Sequence, residues 1–321
     1  MRRSWSVGAA AVILVGAVAT TRAIEAELLQ QIPAETHVVL VMHPESLMAT
    51  AEIAALIRAD AQLKKTWAGR VPPGRIERLA VAYVPRGEQR DRLVVTLGKS
   101  TWSAADLASV RGPKRGVTGS ATIYAHRTWT DAAWVQVSPR CIVEGPIEIV
   151  SALATPGVKH LDGVTPGTPA ALLLAESDAG WPAALLYVAP DEAMDVHTML
   201  QDLDRTLGFG MEPVLGSYKS ALRMLGVAHG LRVTLRDKDP DYEAGLTIAM
   251  PNRMAAQIAS VSLEAGAGMA AAASDAAVRA GKMSRADAAA MAAVLATLRS
   301  RSDGDLVHVT MVMADSVTGA P

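Results

Sequence analysis

One segment of this chain recurs, and the recurrence constrains the fold more than any other feature. VLVMHPESLM (39–48) resembles LLYVAPDEAM (185–194). Each is an apolar run stopped by a proline, Pro44 or Pro190. An acidic residue follows, Glu45 or Asp191, where a carboxylate favours a helix N-terminus. Further on, VVTLGKSTWSAADLASV (94–110) aligns without gaps on GLTIAMPNRMAAQIASV (245–261), with six of seventeen positions identical. An Ala-rich chain inflates such matches, so the order of elements carries more weight than identity. Strand, proline, helix, hairpin and helix come in the same order in both halves, and an internal repeat fixes the fold before any single element does.

In the first half, His37 to Met42 reads as a strand and Glu45 to Leu63 as a helix with Ala, Leu and Ile at helical spacing. Pro72-Pro73-Gly74 breaks the chain. Ile76 to Val84 and Arg92 to Leu97 are strands joined by PRGEQRD, and Trp102 to Val110 is a short helix capped by Ser100 or Thr101. RGPKRG (111–116) reads as a turn. Strands follow near Ser120 to Arg127, Ala132 to Val137 and Arg140 to Glu144, and Pro146 opens a helix to Leu153.

The second half begins after a Gly/Pro-rich segment, Thr155 to Gly167. Thr168-Pro169 looks like a helix cap and first turn. Ala183 to Val188 is a strand, Asp191 to Thr206 a helix, and Glu212 to Leu225 another. Leu231 to Leu235 and Tyr242 to Met250 form a hairpin. Asn252 caps a long Ala-rich helical region that Gly281 weakens and that restarts at Ser284 with Asp287. Asp305 to Met313 is the last strand. The fold class is therefore α+β: two related split-βαβ-like units (strand-helix-strand-strand-helix-strand), largely antiparallel, with helices on one face. The boundaries are 1–23 leader, 24–154 first unit, 155–167 linker and 168–321 second unit. Whether the two sheets join is open.

The N-terminus predicts export. Arg2 and Arg3 precede an uncharged apolar run, Val7 to Ala19, and both Ala17-Val18-Ala19 and Thr21-Arg22-Ala23 are small-x-small cleavage sites. The run is shorter than the roughly twenty residues that span a bilayer, so the expected location is secreted or periplasmic, with no stable membrane insertion after cleavage. The chain has 31 Lys and Arg against 32 Asp and Glu. That balance lacks the basic surplus of a nucleic-acid binder. Cys141 is the single cysteine, which excludes an intramolecular disulfide, and it reads as a small buried hydrophobe.

The densest acidic cluster is Asp237, Asp239, Asp241 and Glu243. A calcium loop needs glycine at its sixth position and glutamate at its twelfth. Counting from Asp237, those positions hold Tyr242 and Ile248. The flanks alternate apolar and polar, and Asp and Pro are turn formers, so the cluster reads as a hairpin tip. No two of the seven histidines (His37, His43, His126, His160, His197, His229, His308) have the close spacing of a zinc pair. Neither GxSxG nor a phosphate loop is present. Ser100 and Ser103 read as helix caps. Asp202 and Asp204, two apart on a helix, read as a solvated face. Trp129, Trp134 and Tyr124 around TWTDAAW read as cross-strand packing, with a glycan platform as the alternative. The Ala-rich region carries Met254, Met269, Met283 and Met291 with sparse, mixed charge, which fits a packed or partner-binding helix rather than a membrane-active one.

IPAETHVVLVMHPESLM, DRLVVTLGKSTWSAADL, CIVEGPIEIVSAL and TPAALLLAES together resemble a loose group of exported bacterial proteins with a duplicated α+β unit. The resemblance implies export and that fold, and brings no catalytic residue, metal or cofactor. The expectation is a non-enzymatic exported protein that acts by surface binding or assembly with a protein or glycan. The alternatives are a hydrolase whose site assembles from distant residues, and a glycan-binding module.

Overall fold

The computed structural model describes residues 27–45, 73–87, 89–108, 110–118, 121–127, 131–155, 157–161, 168–175, 183–189, 193–207, 219–223, 225–238, 241–281 and 283–313. The expected leader, and most of the helices expected over Glu45 to Leu63 and Glu212 to Leu225, lie outside the described residues. The chain divides into two compact units, one ending at Leu185 and the other beginning at Leu186.

The first unit contains β1 (Val38–Met42), β2 (Ile76–Arg86), β3 (Gln89–Gly98), α1 (Ala104–Leu107), β4 (Arg111–Thr118), β5 (Ala121–His126), β6 (Ala132–Gln136), β7 (Cys141–Pro146), α2 (Ile147–Leu153) and α3 (Pro169–Ala175). Its strands run in the order β1-β2-β3-β7-β6-β5-β4, each antiparallel to its neighbours. Register explains the core. Val41 pairs with Ala80, Ala80 with Val95, Val95 with Val143, Val143 with Val135, and Val135 with Ile123. All six side chains are buried. Burying a β-branched side chain of this kind contributes about 1.5–3 kcal/mol, so one cross-strand row ties six strands together. Successive residues point to opposite faces. The neighbouring row, Leu40, Val81, Val94, Glu144, Trp134, Tyr124 and Lys114, therefore lies on the other face and turns polar toward β4.

Two expectations change here. RGPKRG is not a turn but the start of β4, an edge strand with two register shifts. Its side chains are exposed or half-buried, and an edge that faces water needs no apolar alternation. Gly112 is required there, because a Cβ would lie 2.6 Å from the carbonyl oxygen of Ala125. The helix expected over Trp102 to Val110 is a single turn, α1, and of the expected caps Ser100, Thr101 and Ser103 it is Ser103 that serves. Ser103 accepts from the Asp106 N–H while Asp106 accepts from the Ser103 N–H, a reciprocal capping box. Within 157–161, Leu161 N–H donates to Ile32 at 2.7 Å, Lys159 accepts from the Ala34 N–H at 3.1 Å, and His160 bridges Pro33.

The second unit starts within β8 (Ala183–Val188) and continues with β9 (Met194–Asp195), α4 (Val196–Leu207), α5 (Lys219–Arg223), β10 (Val227–Ala228), β11 (Gly230–Lys238), β12 (Asp241–Ala249), α6 (Arg253–Arg279), α7 (Arg285–Ala296), β13 (Arg299–Asp303) and β14 (Leu306–Met313). The strand order is β11-β12-β14-β13, all antiparallel, and β9 and β10 form a separate short ribbon. Two expectations change. The helix expected from Asp191 begins at Val196, after β9, and Asp195 accepts from the Thr198 N–H at 2.9 Å. β13 was not expected. Its polar residues hide a hairpin whose turn is Gly304-Asp305, with Gly304 at φ 55° and Asp303 paired to Leu306.

Other readings hold. Asn252 caps α6 by accepting from the Ala255 N–H at 2.9 Å. Gly281, at φ 68°, follows the end of that helix. Lys238 pairs with Asp241 and Asp237 with Tyr242 at the ends of β11 and β12, and the expected tip, 239–240, lies outside the described residues. β3 ends at Gly98 and pairs antiparallel with β7, and β12 ends at Ala249 and pairs antiparallel with β14. Among the described residues no helix is long and apolar enough to cross a membrane.

Candidate functional site

The polar row of the first sheet concentrates chemistry at regular steps. Tyr124, Trp134 and Glu144 lie ten residues apart on β5, β6 and β7, and two short hairpins bring them side by side. The Tyr124 and Trp134 rings stack at 4.9 Å, 21° from parallel. The Arg111 guanidinium lies 4.3 Å from the centre of the Tyr124 ring and donates to its hydroxyl at 2.6 Å. His126, two residues beyond Tyr124 and so on the same face, meets Glu144 at 2.9 Å, Nε2 to Oε1. The pair is nearly sealed from water, with side chains 4% and 1% exposed. A carboxylate buried that deeply is tolerable only with hydrogen-bonding partners.

A recess of about 530 Å³ opens at one end of this sheet. Its polar lining is Gln30, Gln31, Gln136 and His160, and Leu153 and Ala154 at the C-terminus of α2 supply apolar wall. Gln136 is the last residue of β6, and its side-chain amide donates to the Pro139 carbonyl at 3.3 Å. His160 is placed by the backbone bridge to Pro33. Its Nδ1 is buried without a hydrogen-bond partner. Burial lowers its pKa below 6.5, against an opposing pull from Glu35, so the ring is neutral near pH 7. Three amides and a neutral imidazole can donate to and accept from uncharged polar groups. Among the described lining residues there is no carboxylate, thiol or hydroxyl.

A second recess of about 520 Å³ lies between α6 and α7 in the other unit, with Glu264 and Arg299 as its charged lining. Glu264 is occupied there, accepting from the Ser300 N–H at 3.3 Å.

The residues singled out by sequence do not converge. Trp134 is 1% exposed and cannot offer its face to a sugar, and Trp129 lies outside the described residues. The packing reading is the one seen. Asp202 and Asp204 are not a solvated face: Asp202 accepts from the Tyr187 hydroxyl at 2.9 Å, and Asp204 is buried. Cys141 is buried, and burial pushes its thiol up to about 12. Among the described residues no three His, Cys, Asp or Glu side chains gather as metal ligands. The His126–Glu144 pair was missed. Its signal was present in the ten-residue steps 124, 134 and 144, but reading it needs the register of two hairpins.

No protein-family model matches this chain, and no curated protein is significantly similar to it. Among solved structures, crystal forms I, III and IV of TP0453 align at 11%, 10% and 11% identity, with TM-scores of 0.41, 0.42 and 0.43. The alignments cover 90%, 90% and 94% of this chain and 94%, 95% and 98% of those chains. A likeness of that size carries no functional argument.

Proposed function

We propose that this protein is exported and works by binding rather than by catalysis, with the recess beside His160 as its ligand site. The supporting observation is the lining itself. Gln30, Gln31, Gln136 and a neutral His160 offer hydrogen bonds without charge or a nucleophile. Such a set suits the amide and hydroxyl groups of an uncharged peptide or glycan. Titrating the isotopically labelled protein with chitobiose, and separately with a short uncharged peptide, should move amide resonances of Gln30, Gln31, Gln136 or His160 for one of them. Gln136→Ala should weaken that binding. Resonance shifts confined to other regions overturn the reading, as does a hydrolytic activity that disappears with Glu144→Gln.

Two further readings belong to the same proposal. Export rests on the leader pattern in residues 1–23, and an intact mass that still includes them overturns cleavage. Duplication rests on the aligned ends of β3 and β12 and on their equivalent pairings with β7 and β14.

A further inference from the structure

Helix α6 turns an apolar stripe outward. Met254, Ile258, Val261 and Met269 are 71%, 60%, 70% and 50% exposed, and Ala265, Ala272 and Ala276 on the same face are exposed too. These seven positions are separated by 4, 3, 4, 4, 3 and 4 residues. That is an eleven-residue repeat of 3.67 residues per turn, so the stripe runs nearly straight along the helix. It extends about 33 Å at 1.5 Å per residue. The spacing reads the same in both directions, with Ala265 at its centre.

We propose that this face pairs with its own copy, antiparallel, in a twofold dimer centred on Ala265. A palindromic stripe superimposes on itself when the helix is reversed. Met254 then faces Ala276, Ile258 faces Ala272, Val261 faces Met269, and Ala265 faces Ala265. The large side chains at the N-terminal end meet small ones at the C-terminal end, which is the complementarity a twofold interface requires. Parallel pairing would set Met254 on Met254 and Ala276 on Ala276, splaying one end and leaving the other loose.

Charge agrees with size. Arg253 and Asp275 are both exposed on the same flank of the stripe. In the antiparallel register they fall about two residues, or roughly 3 Å, apart along the axis. Glu264 lies on the same flank at the same offset from its own copy, and its carboxylate is drawn toward its own sheet by accepting from the Ser300 N–H at 3.3 Å. A lipid surface fits less well: a membrane-lying helix carries a strongly basic face, whereas this flank mixes Arg253, Glu264, Asp275 and Arg279. Two such stripes, each roughly 33 Å long and about one helix wide, cover less than a standard interface. The expected dimer is therefore weak and reversible. This inference does not rest on the recess beside His160.

Sedimentation equilibrium on the exported chain, from about 1 to 200 μM, should show a monomer–dimer equilibrium within that range. Val261→Glu should raise the dissociation constant at least tenfold with an unchanged circular dichroism spectrum. Arg253→Asp should weaken the dimer, and Arg253→Asp with Asp275→Arg should restore it. Mild oxidation should cross-link Ala265→Cys, whose two copies meet on the axis, and should not cross-link Ala276→Cys, whose copies lie far apart. A chain that stays monomeric throughout overturns the proposal, including one that instead binds anionic vesicles. A dimer unaffected by Val261→Glu, or cross-linked equally by both cysteine variants, overturns it as well.

Discussion

His126 and Glu144, eighteen residues apart in sequence, face each other across the β5-β6-β7 meander at 2.9 Å, and neither side chain is more than 4% exposed. Removing one partner of such a pair takes a hydrogen bond from a polar group in a buried site, a change that costs about 1–3 kcal/mol. Glu144→Ala should lower stability by about that amount, read from urea denaturation midpoints. Glu144→Gln keeps a side-chain oxygen opposite the imidazole and should cost less. Equal losses for the two variants, or a loss below about 1 kcal/mol for Glu144→Ala, would show that the carboxylate does not hold this face together.

That pair also marks where sequence reading ran out. Alternation disclosed β11 and β12, whose apolar residues sit two apart, and unbroken apolar runs disclosed β2 and β3. Local capping chemistry disclosed the start of α6 at Asn252 and the break at Gly281. β4 and β13 escaped because exposed edge residues carry no hydrophobic period, and Arg-Gly-Pro-Lys resembles a turn. The recess was invisible for a different reason. Gln30, Gln136 and His160 come from three separate segments, and only the bridge between Pro33 and His160 brings the last of these to the first. Asp204 was misread because its burial depends on what packs against α4 rather than on its own helix.

The acid limb of stability should carry a histidine signature. His43 lies just beyond β1, half-buried, and its pKa falls from 6.5 to about 4. Burial is the main cause, followed by the Arg78 charge; Glu45 works in the opposite direction, and Lys99 adds a smaller depression. Glu45 and Lys99 are themselves bonded to each other. In the unfolded chain the same imidazole binds its proton near pH 6.5. Between about pH 6.5 and 4 the unfolded state therefore holds more protons, and stability rises with pH there. The contribution is complete above pH 6.5 and is lost as pH falls toward 4. Burial lowers the His160 pKa as well, which acts in the same sense. Urea midpoints should thus be lower at pH 4.5 than at pH 7, and His43→Gln should shrink the difference. An unchanged difference in that variant would remove His43 from the account.

Cys141 should be inert in the folded protein. The residue opens β7, where it pairs with Leu97 of β3, and its side chain is 1% exposed. Burial pushes the thiol pKa up to about 12, with the Glu27 charge adding to the rise and Arg140 opposing it. The thiolate is the reacting species. At pH 8 a free thiol is appreciably ionised, whereas this one is about a thousandfold less so, and the reagent must also reach it. Labelling with 5,5′-dithiobis(2-nitrobenzoate) at pH 8 should therefore be at least roughly a hundredfold slower than for a free cysteine. As urea is added, the labelling rate should follow the unfolded fraction, because exposing Cys141 means parting β7 from β3 and opening the apolar row through Val95 and Val143. Fast labelling in the absence of denaturant would place that row in water and remove the basis for the first unit's core.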